Sequence, residues 1–435
     1  MTEKRHQWAS NLGFILAAAG SAVGLGNIWK FPGKVGAYGG GAFLLCYLLI
    51  VFLVGFPVML AELSIGRATQ KNVVGAFRTL NPRWRFAGYI GIVTLFVILS
   101  YYCVVGGWVL KYVQIYAAGA HFGAGPGAYA DYFSAFSAKP VEPLLWGLGF
   151  LVLCIVVVVR GVSQGIEKVS KVLMPLLFLL LAGLVVYSVT RPGAGEGLRF
   201  LFGIDPARLS GDTLVGALGQ AFFSLSITGS GMIIYGSYLS KSENIIHSSC
   251  MTAVLDTCAA LLAGLAIIPA VFAFQMDPAS GPPLMFITLP KVFSQIPFGN
   301  IIGGLFFLSV LFAGITSLMN MFEVCAEALQ KTFRIRRKLS ILITGTIIFI
   351  IGLFIENEKY LGSWMDVITI YVVPFGALLG AFMIYWILDK KKIHGELNTG
   401  APKPVGKFFT ITSKYIYVFL AVIVFILGII YGGIG

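Results

Sequence analysis

Residues 20–27 read Gly20-Ser21-Ala22-Val23-Gly24-Leu25-Gly26-Asn27, and they lie within the first long apolar run of the chain. Each glycine inside a helix costs about 1 kcal/mol relative to alanine, and three stand within this stretch. At membrane depth, non-helical backbone is tolerated only where protein buries it or where it lines a cavity. The sequence therefore predicts a first membrane helix that breaks at residues 21–26 and forms a binding site there.

The composition is that of a protein embedded in lipid. Hydrophobic residues make up 58% of the 435 and charged residues only 11%, whereas about a quarter of a soluble domain is charged. Long apolar runs recur along the chain, and each predicts a helix, because lipid offers the backbone no hydrogen-bond partner. We predict an all-α integral membrane protein with about eleven spans, near residues 11–36, 40–66, 86–118, 143–159, 170–190, 213–239, 244–275, 299–330, 339–356, 360–388 and 408–431.

The net charge is +13, and the basic residues behind it are unevenly divided between the two predicted sides of the membrane. With the N-terminus in the cytoplasm, most Lys and Arg residues fall in the predicted cytoplasmic loops, as is typical of multi-pass proteins. This orientation puts the C-terminus outside, and we expect the plasma (inner) membrane as the location. The basic clusters would face anionic lipid, so the expected partner is the bilayer and no nucleic acid is expected.

A second interruption lies in the sixth predicted span, which contains Ser224-Leu225-Ser226-Ile227-Thr228-Gly229-Ser230-Gly231. One interruption opens the first five spans and the other opens the next five, and because five is odd the second set is inverted. Close packing through glycine would explain one interruption but not a matched pair. The pair is typical of transporters with a site between two broken helices. We predict one domain over residues 1–435, with repeats at about 8–190 and 213–388 and an additional helix at about 408–431.

Acidic side chains at membrane depth are expensive and are candidates for function. Asp256 lies in the middle of the seventh span, and hard cations such as Na⁺ favour oxygen ligands, which Asp256, Asn27, Ser224 and the carbonyl of Ala22 could supply. Glu62 we interpret as a structural carboxylate that satisfies the unwound backbone. No enzyme motif and no nucleotide-binding motif occurs in the sequence, so an ion gradient would have to supply the energy.

Several stretches around these residues resemble one family. They are residues 22–27 with Phe31-Pro32 and Gly39-Gly40-Gly41-Ala42-Phe43, then Gln220-Ala221-Phe222-Phe223-Ser224-Leu225-Ser226, and Ala313-Gly314-Ile315-Thr316-Ser317. Across nearly its whole length the chain resembles the neurotransmitter:sodium symporters, in their bacterial, eleven-helix, leucine-transporter-like branch. The resemblance implies a fold for which two inverted five-helix repeats and broken helices 1 and 6 are already established.

The resemblance also implies two sodium sites and one substrate site. The first sodium site would use Ala22, Asn27, Ser224 and Asp256; the second would use Gly20, Val23, Ala313, Thr316 and Ser317. The substrate's carboxylate would lie on the amides at the start of a half-helix, where free N–H groups and the helix dipole meet. The implied substrate residues are Ser21, Ala22, Leu25, Gly26, Ile98, Tyr102, Phe223, Ser224, Ser226, Gly229, Ser317 and Met321.

Three departures from the family pattern narrow the substrate and the ions. Ala22 stands where relatives that carry monoamines have an aspartate, so we expect a substrate with its own carboxylate. Gly229 and Ser230 replace a bulky pocket residue, which leaves room for a larger or aromatic side chain. Ala260 stands where chloride-dependent relatives have a serine, while Asp256 replaces an asparagine. A fixed carboxylate would then do the work of chloride, so we expect no chloride.

The family closes its site with paired charges on both sides. For the outer gate the matching residues are Lys30 and Asp366, and lysine cannot make the two-pronged contact of arginine. For the inner gate Arg5 and Trp8 match. The sequence therefore predicts both gates, with a looser outer contact.

The cytoplasmic side departs further from the pattern. Lys331 occupies the place of the expected inner-gate acid, and Glu327 is the nearest substitute. Gly165 and Pro175 bracket the start of the fifth helix, where the family unwinds to admit water to the second sodium site; an ordinary loop glycine and kink proline would also explain them.

These residues predict sodium-coupled import of a neutral, hydrophobic or aromatic L-amino acid by alternating access. Another small carboxylate-bearing amino compound would also fit, and a non-transporting amino-acid sensor or a passive channel belongs to a different class. The expected partners are the amino acid, sodium ions and the lipid bilayer. The choice of amino acid, the sodium stoichiometry, proton antiport and the oligomeric state stay open at this point.

Overall fold

The computed structural model describes residues 8–123, 125, 127–225, 230–278, 284–387, 395–401 and 411–431, and every regular element in these ranges is helical. The first half contains α1 (Asn11–Ala22), α2 (Gly26–Ala37), α3 (Gly41–Thr69), α4 (Val73–Leu80), α5 (Pro82–Ala117), α6 (Ala128–Ser137), α7 (Glu142–Val159) and α8 (Val162–Val189). The second half contains α9 (Ala194–Phe202), α10 (Gly211–Ser224), α11 (Gly231–Gly236), α12 (Ile245–Ala273), α13 (Leu284–Ser294), α14 (Gly299–Phe333) and α15 (Arg337–Ile355). Helix α16 continues through Glu358–Val367, Ile368–Val372 and Val373–Ile387, and α17 continues through Thr412–Tyr417 and Val418–Tyr431.

Eight segments of the described chain are long and apolar enough to cross a membrane. Seven are the single helices α3, α5, α7, α8, α12, α14 and α15, and the eighth is the pair α1 and α2, bent by 55° at their break. Shorter apolar stretches occur in α16 at Val373–Ile387 and in α17 at Lys414–Ile430. With α10 and α11 counted as one interrupted span, the order of helices agrees with the predicted spans.

Helix α8 begins earlier than the apolar pattern predicts. It starts at Val162 rather than near residue 170, because its polar first turns are held by contacts: buried Glu167 accepts hydrogen bonds from Ala9 N at 2.7 Å and Ser10 Oγ at 2.9 Å. The segment 165–175, whose unwinding the resemblance implies, is helical throughout in this structure. The connections between α5 and α7 and between α12 and α14 contain the helices α6 and α13.

The two broken helices lie in the middle of the molecule. Helix α1 packs against α8, α12 and α14, while α10 and α11 both pack on α3. Protein therefore buries the break in the first helix. Unwound backbone is stable at membrane depth under this condition.

Helices α3 and α11 meet backbone to backbone. A Cβ atom at Gly66 would overlap the carbonyl oxygen of Ile233, and one at Gly236 would overlap the backbone of α3. Small residues permit such an approach between membrane helices. At the start of α11, the N–H of Met232 donates to Glu62 Oε2 at 3.2 Å. Glu62 thus satisfies an N–H that has no partner within its own helix, as the sequence predicted for it.

Candidate functional site

The break between α1 and α2 frees backbone oxygen atoms from helical bonding. Val23 ends α1 with φ −69° and ψ 96°, which is extended backbone. The N–H of Gly24, which would continue the helix onto Gly20, donates instead to Asn27 Oδ1 at 3.3 Å. Within the described ranges, no hydrogen bond reaches the carbonyl oxygens of Gly20 and Ala22. Such oxygens are suitable ligands for a hard cation.

Side chains from four helices meet beside this break. Asn27 of α2 donates from Nδ2 to Asp256 Oδ1 of α12 at 2.7 Å and to Ser224 Oγ of α10 at 3.0 Å. The Ser224 hydroxyl donates to Asp256 Oδ2 at 2.6 Å, and the hydroxyl of Tyr47 on α3 lies 3.2 Å from Ser224 Oγ. All four side chains are buried. The structure therefore brings together the predicted carboxylate, amide and hydroxyl in an enclosed space.

Gln220 also belongs to this region. It is part of the sequence motif, but the sequence alone predicted no role for it. It is buried one helical turn before Ser224, and its Nε2 donates to the carbonyl of Gly26 at 3.3 Å. Its Oε1 has no hydrogen-bond partner in the described part of the chain. Its place at the start of the motif in the sixth span was the available signal. Gln220 fixes the start of α2 to α10.

The second predicted cation set joins α1 to α14. Ala313, Thr316 and Ser317 have the spacing of residues on one helix face, and Gly20 lies against that face, since a Cβ at Gly20 would stand 2.8 Å from Thr316 Cβ. The Ser317 hydroxyl donates to the carbonyl of Ser21 at 3.2 Å. The Thr316 hydroxyl lies 3.0 and 3.1 Å from two carbonyl oxygens of its own helix. The structure thus places Gly20 of this set against Thr316, and Ser317 against the neighbouring Ser21.

The predicted carboxylate position is marked by Tyr102, whose hydroxyl reaches the break from α5. A Cβ at Gly24 would lie 2.8 Å from this hydroxyl and 3.0 Å from Ser317 Oγ, so glycine keeps the approach open. Leu25 and Gly26 directly follow Gly24, so their amides lie at the start of α2 beside this hydroxyl. A substrate carboxylate would use these same donors at the start of α2.

Most of the predicted side-chain pocket is described. Ile98, one turn before Tyr102, is buried, as is Met321 on α14. The ring of Phe223 lies directly on the backbone of α2, since a Cβ at Gly26 would stand 2.5 Å from a ring carbon. Two further predicted residues, Ser226 and Gly229, lie outside the described residues.

Asn320 is a buried neighbour of the predicted substrate residue Ser21 that the sequence reasoning missed. It lies on α14 three residues after Ser317, it is 1% exposed, and its Nδ2 donates to Ser21 Oγ on α1. Its Oδ1 has no hydrogen-bond partner among the described residues. The helical spacing from Ser317 was the signal that could have found it.

At the predicted outer gate, the ammonium group of Lys30 lies against an aromatic ring. The ammonium group of Lys30 lies 4.4 Å from the centroid of the Phe223 ring, a cation–π geometry, and Asp366 attracts it electrostatically. Lys34, one turn further along α2, is also buried and its charge opposes that of Lys30. Two like charges therefore lie one turn apart on this part of α2.

At the predicted inner gate, Trp8 packs against two tyrosine rings. Its Nε1 donates to the carbonyl of Tyr235 at 3.2 Å, and its ring centroid lies 5.0 Å from that of Tyr235 and 6.4 Å from that of Tyr238. The two residues after Trp8 are bound by Glu167 of α8. Arg5, the other predicted residue of this gate, lies outside the described residues.

Two carboxylates lie beside Tyr238 near the predicted inner gate. The Tyr238 hydroxyl lies 2.9 Å from Glu323 Oε1 and 3.0 Å from Glu327 Oε2. Arg337 forms an ion pair with Glu323 at 2.6 Å. Lys331 is exposed. Glu327, the substitute indicated by the sequence, therefore lies close to Glu323, because one tyrosine hydroxyl contacts both carboxylates.

The pattern of the sodium:neurotransmitter symporter family matches residues 5–118 and 141–432. The chain belongs to this family. The symporter is 39% identical, over 98% of both chains, to the uncharacterised sodium-dependent transporter YhdH of Bacillus subtilis, and 35% identical to a Haemophilus influenzae sodium-dependent transporter, over 80% of this chain and 79% of that one. Its structure is similar to that of MhsT in complex with L-phenylalanine, with a TM-score of 0.90, 38% identity and coverage of 98% of this chain and 100% of MhsT.

These similarities confirm the predicted family and fold class. The symporter is a multi-pass membrane protein with the leucine-transporter-like fold, in which the pairs α1–α2 and α10–α11 are the broken helices. Its family consists of transporters, and its bacterial relatives are named for their dependence on sodium. The symporter therefore uses sodium.

Proposed function

We propose that the symporter imports a neutral, hydrophobic or aromatic L-amino acid together with sodium, by alternating access through the site at the break of the first helix. The observation that carries this proposal is the buried cluster of Asn27, Ser224 and Asp256 beside the freed carbonyl of Ala22. A buried carboxylate without a basic partner in this cluster needs a cation, because an uncompensated charge inside a membrane protein is expensive.

Two sodium ions fit the two oxygen sets at the break. The first set carries the charge of Asp256, and the second offers the carbonyls of Gly20 and Val23 with the hydroxyls of Thr316 and Ser317. The two sets hold α1 and α2 to different helices, α10 and α12 on one side and α14 on the other. Sodium binding at both would favour the outward-open arrangement, and substrate would permit closure. Each charge moved through a potential of 100 mV is worth about 2.3 kcal/mol.

We propose that transport does not need chloride. Asp256 supplies a fixed negative charge beside the first sodium set, and Ala260, one turn further along α12, is buried and has no group that could bind an anion. A fixed carboxylate compensates the charge of sodium without an added anion. Replacing chloride by gluconate on both sides should leave uptake unchanged; a loss of uptake would contradict this part of the proposal.

The residues around Tyr102 support the proposal that the substrate is an amino acid. Its hydroxyl and the amides of Leu25 and Gly26 are donors suited to a carboxylate, and Ala22 offers no acid for an amine that lacks one. The similar structure MhsT was solved with L-phenylalanine. A second candidate, another small amino compound with a carboxylate, rests on the same donors and differs only in the side chain.

The direct test is uptake of radiolabelled amino acids into proteoliposomes that contain the purified symporter, with and without an inward sodium gradient. We expect phenylalanine and other bulky neutral amino acids to accumulate only with the gradient. Accumulation that ignores sodium would overturn the proposal. Sodium-dependent binding without accumulation would indicate a sensor, and uptake that does not saturate would indicate a channel.

We also propose that the N-terminus faces the cytoplasm and the C-terminus the outside of the cell membrane. The distribution of Lys and Arg between the loops supports this orientation. A C-terminal alkaline phosphatase fusion should be active in a bacterial host, while a C-terminal green fluorescent protein fusion should be dark. The opposite result would reverse the orientation and leave the ion coupling to be judged by the uptake assay.

A further inference from the structure

One buried carboxamide beside the predicted substrate site lacks a partner on one end. Asn320 is 1% exposed, and its Nδ2 donates to the hydroxyl of Ser21 on α1. Its Oδ1 receives no hydrogen bond from the described residues. Ser21 can bond either end of the amide, so one end is left without a partner whichever way the amide is turned. Buried polar groups are nearly always hydrogen-bonded, and an exception at a binding site requires an explanation.

The position of Asn320 indicates what the missing partner is. Ser317, one helical turn earlier on α14, bonds the carbonyl of Ser21 and lies beside Gly24 with the hydroxyl of Tyr102. That end of the site has the donors for a carboxylate. Asn320 lies one turn further along α14, next to Met321, a residue of the predicted side-chain pocket. A bound amino acid that lays its carboxylate on Tyr102 would extend its side chain toward this amide.

We propose that Asn320 is a specificity-determining residue whose carboxamide oxygen accepts a hydrogen bond from the side chain of the substrate. The symporter then favours an aromatic amino acid that carries an O–H or N–H group, tyrosine or tryptophan, over phenylalanine. This inference rests on the proposed function and refines its substrate. A site built to hydrogen-bond a substrate group rejects the analogue that lacks it, because the polar group of the site is left unpaired.

Tyrosine and phenylalanine form a matched pair of probes, since they differ by one hydroxyl group. In proteoliposomes with a sodium gradient, we expect the wild type to have a kcat/KM for tyrosine about tenfold above that for phenylalanine. Asn320→Leu, which keeps the volume and removes both polar ends, should lower this tyrosine-to-phenylalanine ratio about tenfold. Asn300→Leu is the control. It makes the same change at the exposed start of α14, where Asn300 bonds the carbonyl of Gly119, and it should leave the ratio as it is.

The wild type alone can overturn the inference. Sodium-driven uptake with equal kcat/KM for phenylalanine, tyrosine and tryptophan would overturn it and leave the proposed function intact. Should Asn320→Leu fail to fold, competition of unlabelled tyrosine against labelled phenylalanine on the wild type decides the same question. An unchanged ratio in a folded Asn320→Leu variant would likewise overturn the role of the amide. Absence of sodium-driven uptake of any amino acid by the wild type would instead sink the proposed function, and this inference with it.

Discussion

The two oxygen sets at the break of the first helix differ in how they are built. The first set has a carboxylate, Asp256, whose two oxygens are each bonded to a neighbouring side chain, Asn27 and Ser224. The second set is neutral, and its threonine hydroxyl bonds carbonyl oxygens of its own helix, α14. A cation entering the first set meets a fixed negative charge, whereas one entering the second competes with hydrogen bonds already present.

This difference predicts unequal duties for the two sets. The charged set should bind its ion more tightly and should tolerate substitution least, because charge interactions are strong in a low-dielectric interior. The neutral set should bind more weakly and release its ion more easily. Substitutions in the charged set should therefore cost more transport than substitutions in the neutral set.

The largest effect is expected for Asp256→Ala. Removing the carboxylate leaves Asn27 and Ser224 without their shared acceptor and removes the only charge of the first set. We expect the sodium-dependent kcat/KM for uptake to fall at least about 100-fold, or about 3 kcal/mol. Asp131→Ala, at an exposed position of α6, is the control and should behave as the wild type. A normal sodium dependence of Asp256→Ala would remove that residue from the site.

An intermediate effect is expected for Thr316→Val. The substitution keeps the shape of the side chain and removes one hydroxyl from the neutral set. We expect the sodium concentration for half-maximal uptake to rise about tenfold, with a lower Hill coefficient, since one neutral ligand is worth about 1 kcal/mol. Thr346→Val is a close control, because the Thr346 hydroxyl also bonds the carbonyl four residues earlier but lies on an exposed face of α15. A larger loss for Thr316→Val than for Asp256→Ala would reverse the ranking.

The smallest effect is expected for Tyr47→Phe. The Tyr47 hydroxyl lies 3.2 Å from Ser224 Oγ and reaches the first set only through that serine. We expect a two- to fivefold weaker sodium dependence, which is a fraction of one hydrogen bond. Tyr112→Phe removes a buried hydroxyl that bonds the carbonyl of Phe286, far from either set, and should leave the sodium dependence unchanged. Equal effects of the two variants would show that the hydroxyl of Tyr47 serves packing alone.

The sequence was most informative where composition breaks local helix formation. Gly20, Gly24 and Gly26 weaken a helix by themselves, so the position of the break could be predicted and the structure has it at Val23–Leu25. Asp256 could be predicted as a site residue because a carboxylate within an apolar span is energetically costly and is therefore a candidate for function. In both cases the residue type alone is exceptional for its surroundings.

The sequence was least informative where an ordinary residue acquires its role from a distant one. Tyr47 lies in an apolar run, and its partner Ser224 is 177 positions away; Asn320 and Ser21 are 299 positions apart. No local pattern encodes such contacts. The early start of α8 was missed for the same reason, since Glu167 is held inside by the chain before α1.

The contact between α3 and α11 has a mechanical consequence. With no side chain between the backbones at Gly66 and Gly236, and with Glu62 fixed to the first turn of α11, sliding of one helix over the other is blocked by hard atoms. These helices must travel as a single stiff part. Any movement of α11 during the transport cycle therefore carries α3 with it.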